Sequence, residues 1–227
     1  MIWLIFLITM GISLWAAARV KSTYARFSKI RTQSGITGAE VAQRILQSAG
    51  IDDVDIVATD SFLGDHYDPM HRRLVLSREN FLGDSPAALG VSAHECGHAI
   101  QHKIAYAPLH WRMAAVGLVN FVNPVVTFLP IVGLGIGMAP HTVMLILAIG
   151  WGVIMLFNMI TLPVEFDASR RAKMILQKAG YVNEQEAVAV NKVLDAAAFT
   201  YVAAFITSLL YMLYYLLPLL LGGRRSD

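Results

Sequence analysis

Residues 85–103 read SPAALGVSAHECGHAIQHK, and the rest of the chain has to be folded around them. Ser85 followed by Pro86 is a helix start, with serine as N-cap and proline at the first helical position. Ala87, Ala88, Leu89, Val91 and Ala93 continue the helix well. His94, Glu95 and His98 then form the pattern H-E-x-x-H about two turns in. Residues four apart on an α-helix share one face and lie about 6 Å apart along the axis, so His94 and His98 reach one zinc ion. Glu95 falls beside that ion, where a carboxylate can hold a water and take its proton. The five letters alone arise by chance in about one chain in a hundred of this length. The helix start is what turns the pattern into a geometry.

Composition places this helix next to a membrane. Of 227 residues, 56% are hydrophobic and 15% charged, against a usual charged share of about 25%. The shift comes from four uncharged stretches, 2–18, 113–139, 142–162 and 196–221, each long enough to cross a bilayer. Tyr211, Tyr214 and Tyr215 near one end of the last stretch suit an aromatic belt. The first stretch has no basic start and no small-x-small cleavage site, so it reads as a retained anchor rather than a signal peptide. The expected organisation is span 1 over 1–19, a body over 20–112, spans 2 and 3 over 113–162, a second segment over 163–195, and span 4 over 196–221. Of the 18 Lys and Arg, 16 lie from Arg19 to Arg112 and from Arg170 to Lys192, and only Arg224 and Arg225 fall beyond the last span. The positive-inside rule therefore puts both segments, and the H-E-x-x-H helix, at the cytoplasmic face of the cell membrane. The basic run 19–31 also favours an anionic inner leaflet.

The cytoplasmic part reads as a small α+β unit. Thr37 and Glu40 form a capping box, with apolar residues at helical spacing until Gly50. Val54–Ala58 and Leu74–Ser77 look like strands on either side of the turn-rich segment DHYDPMHRR (65–73). Residues 72–78 are either an edge that receives a peptide as an added strand or part of a purely structural hairpin. Pro163 suits the first turn of a helix running to Gly180, and Asn183 with Glu186 opens another that leads into span 4. Cys96 has no partner for a disulfide and reads as a small packing residue, with a ligand or redox role as the alternative. The net charge of +2 and the absence of a phosphate-binding glycine pattern leave nucleotides and nucleic acids out of the expected partners. The bilayer and a peptide or membrane-protein substrate remain, and oligomeric state stays open.

A catalytic zinc takes three protein ligands and keeps one position open. His102 lies about 12 Å along the axis from His94, too far to close on the same ion unless the helix breaks at Gly97. A histidine at the metzincin offset is missing, because residue 104 is Ile. His110 and His141 flank span 2, and His66 and His71 lie in the turn-rich segment. Glu165 is the better candidate, since it sits in the first turn of a helix that spans 2 and 3 return to the membrane surface. It would complete a His, His, Glu set.

The runs HECGHAIQH, DHYDP, VEFDASRRA and LDAAAFTYVA, in that order across nearly the whole chain, resemble the YugP-type membrane zinc metallopeptidases. They are more distantly similar to the gluzincin membrane peptidases of the HtpX and Ste24 type. The resemblance implies a neutral endopeptidase holding one zinc through His94, His98 and Glu165, with Glu95 as general base. Those relatives carry an aspartate four residues after the glutamate ligand, where this chain has Ser169. Asp167 reads as facing another side of the helix, so Asp195 is the substitute for the group that orients a zinc histidine.

The expected fold is thus a predominantly α-helical integral membrane protein with four transmembrane helices and a zincin-like cytoplasmic part containing a small sheet. The expected activity is peptide-bond hydrolysis through a tetrahedral oxyanion. Its second donor is open among Tyr67, His66, Tyr201, Arg170 and Arg171. An intramembrane protease is excluded because Glu79, Asp84, Gln101, His102 and Lys103 flank a run too short to cross. A non-catalytic zinc-binding scaffold or adaptor is the alternative, against which stands the lack of a fourth ligand.

Overall fold

The computed structural model describes residues 2–61 and 64–222. The Arg224 and Arg225 pair lies outside them. In chain order the elements are α1 (Ile2–Phe27), α2 (Gly38–Ser48), β1 (Asp55–Thr59), β2 (His66–Asp68), β3 (Arg73–Ser77), α3 (Arg78–Leu82), α4 (Pro86–Lys103), α5 (Ala107–Gly135), α6 (Pro140–Lys178) and α7 (Glu184–Gly222). The protein is mostly helical, and α1, α5, α6 and α7 are each long and apolar enough to cross a membrane.

The chain divides into two compact units. The first comprises the described residues of 1–15, 111–162 and 200–227. Its buried face gathers Val122, Val126, Val143, Leu147, Ile154 and Tyr215, while Phe121, Phe128 and Ile131 stay exposed, as suits helices whose outer surface meets lipid rather than water. A Cβ on Gly150 would stand 2.4 Å from Val126, so the small residue lets α5 and α6 pack closely. Asn158 Nδ2 donates to the Ala204 carbonyl and to Ser208 Oγ, which ties α6 to α7 by side-chain hydrogen bonds.

The second unit comprises residues 16–110 and 163–199. Its helix α2 begins with the expected reciprocal box, Thr37 Oγ1 accepting from the Glu40 amide and Glu40 accepting from the Thr37 amide. It closes through Gly50 at φ +64°, a conformation that costs glycine nothing. Val41, Ala42, Ile45 and Leu46 from α2, Leu74 and Leu76 from β3, Leu89, Ala93 and Cys96 from α4, Leu176 from α6 and Val190 from α7 make one core.

For residues 72–78 the structural alternative holds and a receiving edge does not: β3 is the centre of a three-stranded sheet ordered β1-β3-β2, parallel to β1 and antiparallel to β2, with Arg73–Val75 paired on both sides. The missing strand is His66–Asp68, three residues inside the segment read as a turn and too short to show a period. Pro163 corrects an expectation: it starts no helix, because α6 runs through it unbroken. Proline removes one backbone donor but keeps a helical φ, and apolar helices tolerate it more readily than soluble ones. Asn183 and Glu186 do cap α7 reciprocally, and α7 continues without a break through the fourth apolar stretch.

Candidate active site

The site lies within the second unit, on α4 and α6. Ser85 Oγ accepts from the Ala88 amide at 3.1 Å and Pro86 occupies the first turn, so α4 is anchored two turns before the motif. The helix is continuous, and His94 and His98 lie on one face, edge to face, with ring centroids 4.8 Å apart. Glu165, only 1% exposed, comes in from α6. Its Oε2 lies 3.3 Å from His94 Nε2 and 3.7 Å from His98 Nε2.

Those distances distinguish two kinds of contact. A direct charge-assisted hydrogen bond closes to about 2.7–2.9 Å, and neither pair does so. Two ligand atoms that share one tetrahedral zinc, each about 2.1 Å from it, sit about 3.4 Å apart. Glu165 Oε2 stands at about that separation from each imidazole nitrogen, and the three donor atoms gather within 4.8 Å of one another, a set of two imidazoles and a carboxylate whose chemistry suits zinc.

The approach of α6 depends on Gly97. A Cβ there would lie 2.8 Å from the Ala168 carbonyl oxygen and 3.0 Å from its Cα, so the two backbones touch at this point. Glycine inside a helix costs roughly 1 kcal/mol relative to alanine. Here it lets α6 come close enough for Glu165 to reach the histidines.

The Nδ1 atoms of the two histidines have partners that sequence reasoning missed. His94 Nδ1 meets Ser169 Oγ at 3.1 Å, so the residue four positions after Glu165 takes the contact that Asp195 was expected to make. His98 Nδ1 meets Gln101 Oε1 at 3.0 Å. Gln101 Nε2 donates to the Val164 carbonyl at 2.8 Å and to Asp167 Oδ2 at 3.0 Å. Asp167 is held in turn by Arg171 Nε at 2.6 Å and by Arg170. Gln101 stands three residues after His98, a spacing at which helical side chains meet, and that was the available signal. Asp195 corrects the earlier expectation: it pairs with Lys173 at 2.5 Å and is 63% exposed, apart from both histidines.

Charge around the histidines follows from this packing. Burial on its own lowers the His98 pKa, but the adjoining Glu165 carboxylate and the charge of Glu95 outweigh it, holding the imidazole above its ordinary value. Glu95 is itself buried. Cys96 is fully buried, with Sγ against the Ala42 carbonyl at 3.6 Å, and burial pushes its thiol well up. That is the packing role expected of it.

The remaining candidates are dispersed. His102 turns to Tyr67, whose hydroxyl lies 2.9 Å from its Nδ1. The pair borders a cavity of about 460 Å³ whose lining includes Asp53, Arg72 and Ala99. His66 is exposed, with Nδ1 at the Gly64 carbonyl, and His71 pairs with Asp68. Arg170 and Arg171 are engaged by Asp167. Tyr201 belongs to the first unit.

A family model described as "Putative neutral zinc metallopeptidase" matches residues 2–220. A Bacillus subtilis (strain 168) protein described as "Putative membrane protease YugP" is 41% identical over 223 residues, 96% of each chain. No solved structure matches the chain significantly.

Proposed function

The chain belongs to this family of neutral zinc metallopeptidases, matched over residues 2–220, and from that premise we propose a membrane-embedded zinc-dependent endopeptidase. In this reading a zincin-like part at the cytoplasmic face of the cell membrane hydrolyses peptide bonds of membrane proteins or peptides. The observation that carries it is the approach of Glu165 Oε2 to His94 Nε2 and His98 Nε2 at 3.3 and 3.7 Å, which supports one ion held by three protein ligands.

His94, His98 and Glu165 would hold the zinc. When bound, it supplies a lowered water pKa and polarisation of the scissile carbonyl. Glu95 follows His94 on α4 and accepts the water proton, then returns it to the leaving amine. Burial of Glu95 and Glu165 strengthens these electrostatic effects by excluding bulk water. The concentration of 16 of 18 Lys and Arg in segments 19–112 and 163–195 supports the cytoplasmic orientation. The bilayer and the peptide substrate are the proposed partners, with no nucleotide or nucleic acid.

The test is Glu95→Gln in purified full-length protein. The variant is expected to keep one zinc per chain by metal analysis and to lose cleavage of casein or a quenched peptide by at least a hundredfold or so. Full activity in the variant would sink the mechanism. Proteome-wide mapping of new peptide termini, with the Glu95 variant as control, then identifies substrates. Membrane-protein loops are expected among them.

A further inference from the structure

We propose that Gln101 is a positioning residue for the metal site. Its amide fixes His98 in the Nδ1–H tautomer and registers α4 against α6, so that the bare Nε2 faces Glu165. The inference rests on the zinc reading above.

The argument is one of forced hydrogen-bond direction. Gln101 is fully buried, so its four hydrogen-bonding positions must be met inside the protein. One end of its amide faces two groups, the Val164 carbonyl at 2.8 Å and the Asp167 carboxylate at 3.0 Å. Both only accept, so the group between them has to be the NH2. A flipped amide would set a carbonyl oxygen against two acceptors, which fixes the orientation on chemical grounds. Arg171 and Arg170 bind Asp167 and keep it an ionised acceptor.

With the NH2 committed, Oε1 is the atom 3.0 Å from His98 Nδ1. A carbonyl oxygen cannot donate, so Nδ1 carries the hydrogen. In the neutral ring the lone pair then sits on Nε2, the nitrogen 3.7 Å from Glu165 Oε2. In water a histidine side chain favours the opposite tautomer, so this one has to be held. His94 lacks an equivalent constraint, because the Ser169 hydroxyl at its Nδ1 can donate or accept. Gln101 also binds the backbone of Val164, the residue before Glu165. One amide therefore touches a histidine ligand on α4 and the neighbour of the carboxylate ligand on α6.

Two variants of the full-length protein in detergent separate positioning from simple packing. Gln101→Met keeps the length and loses both hydrogen-bonding ends. Gln101→Glu keeps an acceptor for His98 but sets a carboxylate against Val164 and Asp167. The readouts are the affinity for zinc alone by chelator competition, and the His98 tautomer in metal-free protein at alkaline pH by nitrogen-15 NMR.

The Met variant is expected to bind zinc about ten- to a hundredfold more weakly and to shift His98 toward Nε2–H. The Glu variant is expected to unfold at lower temperature yet keep the Nδ1–H tautomer and most of the affinity. Wild-type affinity and tautomer in the Met variant, or loss of both in a folded Glu variant, would overturn the role of Gln101. A wild-type protein that binds no zinc would instead overturn the proposed function. The tautomer measurement needs no metal and decides the inference in that case as well.

Discussion

Glu165 is buried against two imidazoles, 3.3 and 3.7 Å from their Nε2 atoms, and the pH behaviour of His98 follows from that. In the metal-free protein the His98 pKa is raised, so the protonated ring paired with Glu165 stabilises the fold. That contribution is fully present below the unfolded value of about 6.5 and is lost as pH rises through the folded value. Zinc requires the neutral ring, so the same shift acts against the metal: affinity is expected to fall as pH drops through the raised His98 pKa, beginning at higher pH than for an exposed histidine. Glu165→Gln removes both a ligand and the raising charge. It should weaken zinc binding overall and also move the pH midpoint of binding downward, as read by chelator competition across the neutral range. A midpoint that stays in place would show that Glu165 does not set the His98 charge.

At this scale the sequence is most readable where chemistry and helical period coincide. His94 and His98 need only a four-residue repeat and a helix start to share a face, and Glu95 follows directly beside them. Ser169, Gln101 and Asp167 are harder, since their roles depend on which face of α6 meets α4. Asp167 reads as facing another side of the helix, yet it reaches His98 through Gln101, a link invisible without the helix pairing.

Between elements, the contact that decides the site is Gly97 of α4 against Ala168 of α6. A glycine in a helix interior reads as a minor fault in the pattern; its purpose appears only when the second backbone is present 2.8 Å from the Cβ it lacks. Gly97→Ala gains intrinsic helix propensity of roughly 1 kcal/mol but meets backbone atoms, which cannot turn aside as a flexible side chain would. Overpacking of this kind costs about 1–3 kcal/mol, so thermal stability should change little or fall modestly. Displacing α6 by a fraction of an ångström nonetheless spoils a three-ligand geometry. Zinc affinity and peptide cleavage are expected to fall by about tenfold or more, measured on the same preparation. Unchanged affinity would mean that α6 yields without moving Glu165. The sheet gives the complementary lesson. The strands rich in aliphatic residues were legible, but β2 draws its place from pairing with β3, and its three residues carry no pattern of their own. Pro163 misled for a related reason: a rule drawn from helix starts in water was applied to a long apolar helix that carries proline in its interior.

For the whole molecule, the four apolar stretches were plain from composition, and the proposed orientation rests on where the Lys and Arg lie. The only cysteine, Cys96, is fully buried, so a membrane-impermeant maleimide should leave the native protein unlabelled. New cysteines at exposed positions then report their side of the membrane. Arg44 lies on the outer face of α2, and His141 lies near the start of α6, beyond the second apolar stretch; both are exposed. If 16 of the 18 Lys and Arg hold their segments inside, Arg44→Cys is expected to react only after the cells are opened, and His141→Cys in intact cells. Zinc-dependent cleavage by each variant in membranes checks that the fold survives the substitution. Reaction of Arg44→Cys in intact cells, in a variant that still cleaves peptide, would place the zinc helix outside. The search for substrates would then move to extracellular segments.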